Sequence, residues 1–465
     1  MGALSPKSLE PQELLEFAGK CLDRARALGA PEADVYVQDE TELSVRAFGG
    51  EVEALRSANT KGVGIRIIDG GRLGYAYASG LDEEDADQAI RSALENVAYV
   101  EPDEHNRLPE LQSVDISEQQ LGIYDARFED ISTERKVDFA LELEAATRDQ
   151  DPRIALVEAA IYAESRFTVG LANTKGFSSF YRGTDSYCYT MPVAREGDES
   201  HSGFGFSMGR SLPELDMQGA AGEAAQRATW LLGARSLSPR KTTVVLDNTI
   251  AAEFLGAISE ALTAEAVQRG RSLFAGKIGQ AVASDMTNIL DDGIRSGGFG
   301  TAPFDDEGVP SRMNKLVQNG VLEGFLYDTY SASRDKRSST GNARRGSFRS
   351  RPRVSPTNFY LREGITSRKD LLAAVSDGVL ILQLVGVHTG VNAISGEISL
   401  GALGLRIRNG ELAEPLREIT IAGSMMDMLR NIAAVGDDLR FVPMGGSFGS
   451  PTISIENVMV SGHAQ

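Results

Sequence analysis

Histidine is the side chain used most often for acid–base chemistry and zinc binding near neutral pH. The chain has four: His105, His201, His388 and His463. No two of them lie within helical reach of each other, so the sequence excludes a zinc helix of the His-Glu-x-x-His type. His388 lies in the apolar run Gly378–Val391, which predicts a buried strand and places this histidine at its rim. His388 is therefore a candidate contact for a substrate or a partner.

Asp305, Asp306 and Glu307 place three carboxylates side by side, and hard cations prefer carboxylate oxygens. Adjacent residues on an extended chain point to opposite sides, however, so three in a row rarely bind one ion. The pattern favours a solvated acidic turn before Gly308. Asp305 and Asp306 remain candidate contacts for a substrate or a partner, and the sequence assigns no metal ligand.

The segment Arg334–Arg353 contains eight Lys or Arg residues and one acid, Asp335, in an otherwise acidic chain. Such a segment should attract a carboxylate, a phosphate or an acidic protein surface. The alternative is a solvated loop that pairs with the chain's own excess acid. The candidate contacts in this segment are Arg334, Thr340, Asn342, Arg344 and Arg345.

Serine and cysteine nucleophiles receive no support from the pattern, so no catalytic residue is assigned. No serine is predicted in the strand–turn–helix context of a nucleophile elbow, and neither cysteine lies near a histidine in the sequence. Cys21 falls inside a predicted helix and Cys188 inside a predicted strand, so we expect both to be buried structural thiols. Gly297–Gly300 is glycine-rich, but no phosphate-binding helix follows it.

The chain has 465 residues, with 47 Lys and Arg against 66 Asp and Glu, and a formal net charge of −19. This length predicts about two to four folded units. The acidic balance disfavours nucleic acid and anionic membranes as partners. Two cysteines are too few for a disulfide framework, no signal-peptide pattern is present, and no run reaches the roughly 18 apolar residues of a membrane span. We therefore expect a cytoplasmic protein.

A repeat indicates how the elements are organised. Ala-Asn-Thr-Lys-Gly occurs at Ala58–Gly62 and again at Ala172–Gly176, and we expect a turn between two strands at each copy. Each copy is preceded by a helical pattern, surrounded by alternating strand patterns and followed by a second helix. This shared order indicates a duplication; the alternative is coincidence within common α+β patterns. The helical patterns are Pro11–Leu28 and Ser132–Arg148 before the copies, and Glu83–Val97 and Leu212–Leu232 after them.

The sequence thus predicts an α+β fold with a duplicated helix–strands–helix N-terminal half and a larger strand-rich C-terminal domain. The predicted units are an N-terminal domain at residues 1–100 and a polar, proline-bearing linker at 101–117. A central domain follows at 118–235, and the C-terminal domain covers 236–465.

Several stretches together carry a resemblance to a known family. They are Phe304–Pro310 (FDDEGVP), Tyr327–Ala332 (YDTYSA), Ser339–Ala343 (STGNA), Gly390–Asn392 with Ser395–Glu397, and Glu418–Gly423 (EITIAG). In this order the chain resembles the TldD/PmbA family, historically called modulators of DNA gyrase and classed as peptidases. The resemblance extends over nearly the whole chain and makes Asn392 a further candidate contact.

The resemblance also implies which branch of the family is present. TldD-type members carry His-Glu-x-x-x-His on the helix after the strand that opens the C-terminal domain, and these residues hold zinc. Here that strand is Thr242–Leu246 and the predicted helix is about Thr249–Val267. The motif would fall at 256–261, which reads Gly-Ala-Ile-Ser-Glu-Ala. The chain is therefore similar to the PmbA (TldE) branch, which lacks the zinc motif.

This branch implies a subunit without a metal centre in a heteromeric cytosolic metallopeptidase that processes unfolded or modified peptides. The implied partners are a TldD-type subunit, which would carry the zinc, and a peptide substrate; a homodimer in isolation is a further option. We expect no cofactor in this chain, no nucleic-acid partner and no membrane. Two alternatives remain: a self-sufficient peptidase of this family without zinc, and a pure peptide-binding or assembly protein.

Overall fold

The computed structural model describes residues 10–442 and 446–462. Its first repeat starts with a helix whose N-terminus is well capped. Pro11 occupies the first helical position, and the backbone N–H of Glu10 donates to Oε2 of Glu13 at 3.0 Å. The repeat consists of α1 (Pro11–Ala27), β1 (Glu32–Phe48), β2 (Glu51–Asp69), β3 (Arg72–Ser79) and α2 (Glu83–Val97).

The second repeat shows the same order of a helix, a long hairpin, a shorter outer strand and a closing helix. A short helix precedes it, and a small strand is inserted after the hairpin. Its elements are α3 (Glu118–Leu121), α4 (Thr133–Arg148), β4 (Ile154–Asn173), β5 (Ser178–Glu196), β6 (Glu199–Ser202), β7 (Gly205–Gly209) and α5 (Met217–Trp230). The predicted helix–strands–helix order is therefore confirmed in both repeats.

One continuous seven-stranded sheet contains both repeats, in the order β3-β2-β1-β4-β5-β6, with β7 also pairing with β5. The central β1–β4 pair is antiparallel and runs from Asp34↔Asn173 to Ala47↔Ala160. Helices α1, α2, α4 and α5 all pack on one face of this sheet and bury its apolar side chains. Cys21 and Cys188 lie in these two cores, and burial raises the pKa of each thiol to about 12.

The turn prediction for the repeated pentapeptide is right for one copy and wrong for the other. Ala172–Gly176 forms the β4–β5 turn, where Oδ1 of Asn173 accepts the N–H of Lys175 at 3.0 Å. Ala58–Gly62 instead lies inside β2. The turn of the first hairpin is Gly49-Gly50, whose positive φ values of 65° and 83° favour a tight hairpin. The two copies of the pentapeptide therefore lie at different positions within the two repeats, although the repeats have the same order of elements.

The C-terminal domain begins with β8 (Arg240–Leu246), α6 (Asn248–Ser259) and α7 (Ala264–Gln268). The strands that follow are β9 (Ile289–Asp292), β10 (Met313–Gln318), β11 (Val321–Leu322), β12 (Ala343–Arg344), β13 (Arg353–Val354), β14 (Asn358–Leu361), β15 (Asp377–Val385), β16 (Glu397–Arg408), β17 (Glu411–Ser424), β18 (Ile432–Val435), β19 (Arg440–Val442), β20 (Ser447–Ser450) and β21 (Ile453–Gly462). The remaining helices are α8 (Thr329–Arg334), α9 (Arg368–Ala373), α10 (Val387–Gly390) and α11 (Met425–Arg430).

Two sheets organise this domain. One has the order β11-β10-β9-β14-β20-β19, and the other has the order β17-β16-β15-β8-β21-β18. Because β21 also pairs with β17, the second sheet closes on itself. Helix α6 packs into the large core that both sheets share. Among the described helices, none combines the length and apolar character needed to cross a membrane.

Aromatic side chains join the N-terminal sheet to the C-terminal domain. The face opposite the helices presents Tyr181 and, from the β4–β5 turn, Phe177, and the ring of Phe304 lies edge-on to both, with centroid distances of 5.2 and 5.1 Å. Phe348 packs over β2 at Gly62, where a Cβ atom would lie 2.4 Å from its ring. Phe304 directly precedes the acidic residues 305–307, and Phe348 belongs to the basic segment Arg334–Arg353. Both segments therefore contribute to this junction.

Candidate functional site

Helix α6 carries the positions at which the resemblance puts the zinc motif. The predicted single helix 249–267 is wrong beyond Ser259, because a 3₁₀ turn, Glu260–Leu262, interrupts it before α7. The hydroxyl of Thr263 accepts the N–H of Ala266 at 3.3 Å and so starts the new helix. Residues 256–261 therefore span the end of α6.

The side of α6 that bears these positions is covered by aromatic side chains. A Cβ atom at Gly256 would lie 3.3 Å from two ring carbons of Phe448 on β20. One turn earlier, Ala252 packs with Phe206 and Val442 in a buried apolar cluster. The ring of Phe448 in turn meets that of Phe359 edge to face, with centroids 6.2 Å apart. Apolar side chains therefore pack against the helix at Ala252 and Gly256.

The residues at 256–261 do not fit a zinc ion. Zinc in proteins needs imidazole, thiolate or carboxylate donors, and this stretch offers only the carboxylate of Glu260, which is exposed. Within residues 10–442 and 446–462, no three His, Cys, Asp or Glu side chains are grouped so as to hold a metal ion.

A cleft of about 640 Å³ borders this apolar cluster. It lies between β7 and α5 on one side and, on the other, the loop 295–299 and the start of β19. Its volume suits a small ligand or a few residues of a peptide. We call it the aromatic cleft. Its main lining side chains are Phe206, Arg295, Phe299, Arg440 and Phe441.

The two arginines of the aromatic cleft differ in their partners. Arg440 makes two ion-pair contacts with Glu223, at 2.7 and 2.9 Å. The guanidinium of Arg295 lies between two rings, 5.0 Å from the centroid of Tyr360 and 4.7 Å from that of Phe441. It forms no ion pair with any described residue. Arg295 is thus positioned to donate hydrogen bonds to a carboxylate or a peptide carbonyl.

A second polar cluster lies at the junction of the two halves of the molecule. Arg66 on β2 donates from Nε to Oδ2 of Asp34 at 2.6 Å and from Nη1 to Oε1 of Glu307 at 2.7 Å. Arg345 donates from Nη2 to Oδ1 of Asp34 at 2.9 Å. These four side chains are at most 5% exposed. We refer to them as the buried charge network.

The prediction of a solvated acidic turn at residues 305–307 is wrong. Asp305 and Asp306 are only 1% and 4% exposed. Oδ1 of Asp305 accepts the N–H groups of Glu307 and Val309, at 3.0 and 2.9 Å, because this buried turn needs internal acceptors. Burial, together with the charge of Glu307, raises the pKa of Asp305, and burial raises that of Asp306. Both side chains organise the junction.

The basic segment is likewise not one solvated loop. The side chain of Arg345 is fully buried, and its guanidinium lies 4.9 Å from the ring centroid of Tyr36. Arg344 donates to the backbone carbonyl of Gly300. Arg349 and Arg351, by contrast, are exposed. The expected pairing with the chain's own acid is therefore right for Arg345, but it takes place in the interior.

Thr340 and Asn342 belong to the same interior. The hydroxyl of Thr340 accepts the N–H of Tyr327 at 2.7 Å and donates to Oδ1 of Asn342, also at 2.7 Å. Asn342 is fully buried, and its Nδ2 donates to Oδ2 of Asp291 at 2.7 Å. These contacts hold a loop against β9 and leave no part of Asn342 for an external ligand.

The other predicted contacts lie apart from this cluster. Arg334 is exposed at the end of α8, with its guanidinium 6.0 Å from the ring centroid of Tyr330. Asn392 lines a separate open groove, and its Oδ1 accepts the N–H of Ile394 at 3.0 Å. His388 lies in α10, but its side chain is outside the described part of the chain, as is all of His463.

A cavity of about 280 Å³ opens beside the buried charge network and is lined in part by Asp328 and Glu307. Asp328 is the N-cap of α8, where its Oδ1 accepts the N–H of Ser331 at 2.8 Å. Burial, and then the negative charge of Glu307, raise the pKa of Asp328 to about 6.

Comparison with known proteins identifies the family. The family models described as PmbA/TldA metallopeptidase match in three parts: domain 1 at residues 33–97, the central domain at 126–232 and the C-terminal domain at 239–462. The chain belongs to the PmbA/TldD metallopeptidase family.

Individual relatives agree over nearly the full length. The chain is 28% identical to a metalloprotease PmbA homolog of Haemophilus influenzae over 456 residues, which is 98% of this chain and 97% of the relative. A crystal structure of a proposed modulator of a DNA gyrase from Thermotoga maritima superposes with a TM-score of 0.86 at 27% identity, covering 96% and 99% of the two chains. The crystal structure of TldE from Thermococcus kodakarensis has a TM-score of 0.87 at 23% identity, covering 97% and 99%, and shares the fold.

Sequence reasoning missed the aromatic cleft and half of the buried charge network. Arg66 and Asp34 lie in ordinary strand patterns, and their partners are 241 and 311 residues away. A signal for the cleft is present in the glycine-rich stretch Gly297–Gly300. Its residue Phe299 lines the cleft and lies 4.7 Å from the guanidinium of Arg210.

We predict that Arg66→Met strongly destabilises this PmbA/TldD-family protein. The substitution leaves the carboxylates of Asp34 and Glu307 buried with fewer partners, and breaking a buried ion pair from one side costs about 3–5 kcal/mol. Urea unfolding monitored by circular dichroism measures the loss. The matched control is Arg72→Met on the exposed edge strand β3, which should change stability by no more than about 0.5 kcal/mol. Equal stability of the two variants would contradict the role of the network.

We predict that Asp328→Asn changes how stability depends on pH. Because folding raises the pKa of this carboxyl, its stabilising contribution is complete below the unfolded-state pKa of about 4 and is lost as pH rises through about 6. The variant cannot ionise at this site, so its Tm should rise relative to the parent between about pH 4.5 and pH 7.5. Asp285→Asn, at an exposed position, is the control. A constant Tm difference across this range would contradict the raised pKa.

Proposed function

We propose that this chain is the PmbA/TldE-like subunit of a heteromeric cytosolic metallopeptidase and contributes no metal centre of its own. The observation that carries the proposal is the side of α6, where the positions of the zinc motif hold Gly256 and Ala261. Phe448 packs against the first of these positions. One exposed carboxylate, that of Glu260, is not enough to bind zinc, so this stretch has no metal with which to activate water.

The partner in this proposal is a TldD-type subunit that supplies zinc and cleaves the peptide bond. Relatives named metalloprotease TldD homolog, such as that of Haemophilus influenzae at 26% identity over 489 residues, align with nearly the whole chain. Partner and chain would thus have arisen from one scaffold, which favours assembly of two similar subunits around a shared chamber. The substrates are unfolded or modified peptides.

The aromatic cleft is the surface of this subunit best suited to position such a peptide. Ring faces bind side chains of many kinds with little loss of conformational entropy. Arg295 adds one unpaired positive charge that can hold a carboxylate or a backbone carbonyl. The cleft lies beside α6, so a peptide bound here would pass the place at which the zinc-binding branch performs its chemistry.

The proposal predicts that the purified chain holds no stoichiometric zinc and is inactive alone, whereas the complex with a TldD-type subunit is active. Metal analysis after dialysis, peptide cleavage assays and co-purification of the two subunits measure this. One tightly bound zinc per chain would contradict the proposal. Zinc-independent cleavage by the chain alone would instead support a self-sufficient peptidase.

A peptide-binding or assembly protein is the other alternative, and it would bind peptide without forming a complex with a TldD-type subunit. A homodimer of the isolated chain would be compatible with the proposed function, provided that it dissociates when the heteromer forms. For the self-sufficient peptidase the structure offers little support. Ser207, for example, lies within strand β7 and not at a strand-to-helix turn, and its hydroxyl accepts the N–H of Asp216 at 2.8 Å.

Arg295→Met tests the aromatic cleft within the complex. Loss of a charge-assisted hydrogen bond to the peptide should raise KM for peptide cleavage about tenfold, while assembly and Tm change little. Arg312→Met removes an exposed arginine outside the cleft and is the matched control. If both variants cleave peptide with the KM of the parent, the peptide does not contact Arg295.

A further inference from the structure

Strand β2 has a long edge without a neighbouring strand. It pairs with β1 along its whole length, but β3 pairs only with its second half, from Gly62↔Ser79 to Asp69↔Arg72. The first half, Glu51–Lys61, therefore has one side that no described strand covers. We call this side the open edge.

The direction of the free backbone groups follows from the last bond before β3. The carbonyl of Lys61 points away from β1, because it accepts the N–H of Gly80 at 2.9 Å. In an antiparallel ladder, successive residues direct their N–H and C=O groups alternately toward one neighbouring strand and toward the other side. The N–H and C=O groups of Leu55, Ser57 and Asn59 therefore also point away from β1. None of these six groups bonds to a residue in the described ranges.

The second repeat shows how this fold treats the equivalent edge. Strand β5 corresponds to β2, and its outer side is covered from within the chain. The N–H of Thr184 donates to the carbonyl of Ile123 at 3.0 Å, and that of Arg182 donates to Oε2 of Glu118 at 2.6 Å. Farther along, β7 and β6 pair with the same side of β5. In the second repeat, backbone and side-chain groups of the same chain thus bond to the outer side of β5, whereas the corresponding groups of β2 remain free of described partners.

The side chains along the open edge define what could pair with it. Leu55 and Val52 are 47% and 40% exposed, and both lie on the face that carries the helices, across from Val45 and Ala47 of β1. Arg56, on the opposite face, is exposed and makes no ion pair with a described residue. An added strand would therefore gain from apolar residues on one face and an acidic residue on the other.

We propose that the open edge binds an extended peptide in which apolar and acidic residues alternate, by adding it to the sheet as an eighth strand. Main-chain hydrogen bonds to Leu55, Ser57 and Asn59 supply affinity, and contacts with Leu55 and Arg56 supply preference. The open edge is a second surface, separate from the aromatic cleft, so the proposal goes beyond the proposed function. It rests on that function in one respect: the bound segment is a peptide substrate.

The test uses the full-length chain and a capped, fluorescent peptide of about seven residues that alternates valine with glutamate. Its partner probe is the same peptide with N-methyl groups on the alternate residues whose N–H groups would face β2. Fluorescence anisotropy should show at least about tenfold weaker binding of the methylated peptide. Hydrogen exchange should show protection of residues 51–61 by the unmodified peptide only.

Ser57→Pro is the matching change in the protein. Proline removes an N–H that points away from β1, so the β1–β2 ladder keeps its bonds and Tm should change little. Binding should weaken about tenfold, whereas Ser57→Thr, which keeps the N–H, should bind like the parent. Because the comparison of the two peptides uses the parent chain, the test does not depend on how the proline variant folds.

Three results would overturn the proposal. The first is equal binding of both peptides, or of the proline and threonine variants. The second is binding that appears only after residues 1–9 are deleted, which would assign the edge to the chain's own N-terminus. The third is a peptide-free dimer that Ser57→Pro dissociates, which would assign it to a second copy. If peptide binds the edge but no TldD-type subunit co-purifies with the chain, the proposed function fails while the edge stands.

Discussion

The structure depends on a group of charges that only the folded chain can bring together and bury. Arg66 and Arg345 pair with Asp34 and Glu307 at the junction between the N-terminal sheet and the C-terminal domain. Removing these groups from water costs several kcal/mol per ion, and the cost is recovered only where each charge keeps its partners in place. A shift of the sheet over the domain would separate the ion pairs, so the network fixes one position of the sheet relative to the domain. The aromatic contacts around Phe304 bury further apolar surface but do not select one position.

That fixed position has a consequence for function, because the aromatic cleft is formed by both parts of the molecule. Phe206 and Glu223 come from the second repeat, while Arg295 and Phe441 come from the C-terminal domain. The cleft keeps its shape only if the two parts do not slide. Nearby, residues 256–261 of α6 and the turn after it contain no histidine or cysteine, and Phe448 packs against Gly256. The chain thus combines the fold of the PmbA/TldD metallopeptidase family with an aromatic cleft beside the helix that has no histidine at residues 256–261.

Sequence patterns were sufficient where a single element determines its own structure. The α+β class, the order of elements in both repeats, the boundary strand β8 and the burial of both cysteines follow from local periodicity. The predictions failed where distant residues decide. The local sequence of Asp305 and Asp306 predicts a solvated turn, but the two carboxylates are buried and accept the backbone N–H groups of Ala343 and Arg345. The end of α6 at Ser259 has no strong sequence signal. The partners in the buried charge network are 241 and 311 residues apart, a separation that periodicity within a window cannot detect.

The two repeats of the N-terminal sheet have the same order of elements but present different surfaces. Two repeats give the sheet two equivalent outer strands, β2 and β5, and each has an edge that must be satisfied or protected. In the second repeat the chain covers this edge with the segment that contains Glu118 and Ile123, and the same repeat lines the aromatic cleft. The first repeat supplies Asp34 and Arg66 to the junction and leaves part of its edge uncovered. The two repeats therefore differ at this edge: the chain itself covers the outer side of β5, whereas the first half of β2 stays uncovered by any described strand and is the surface at which we propose that a peptide binds.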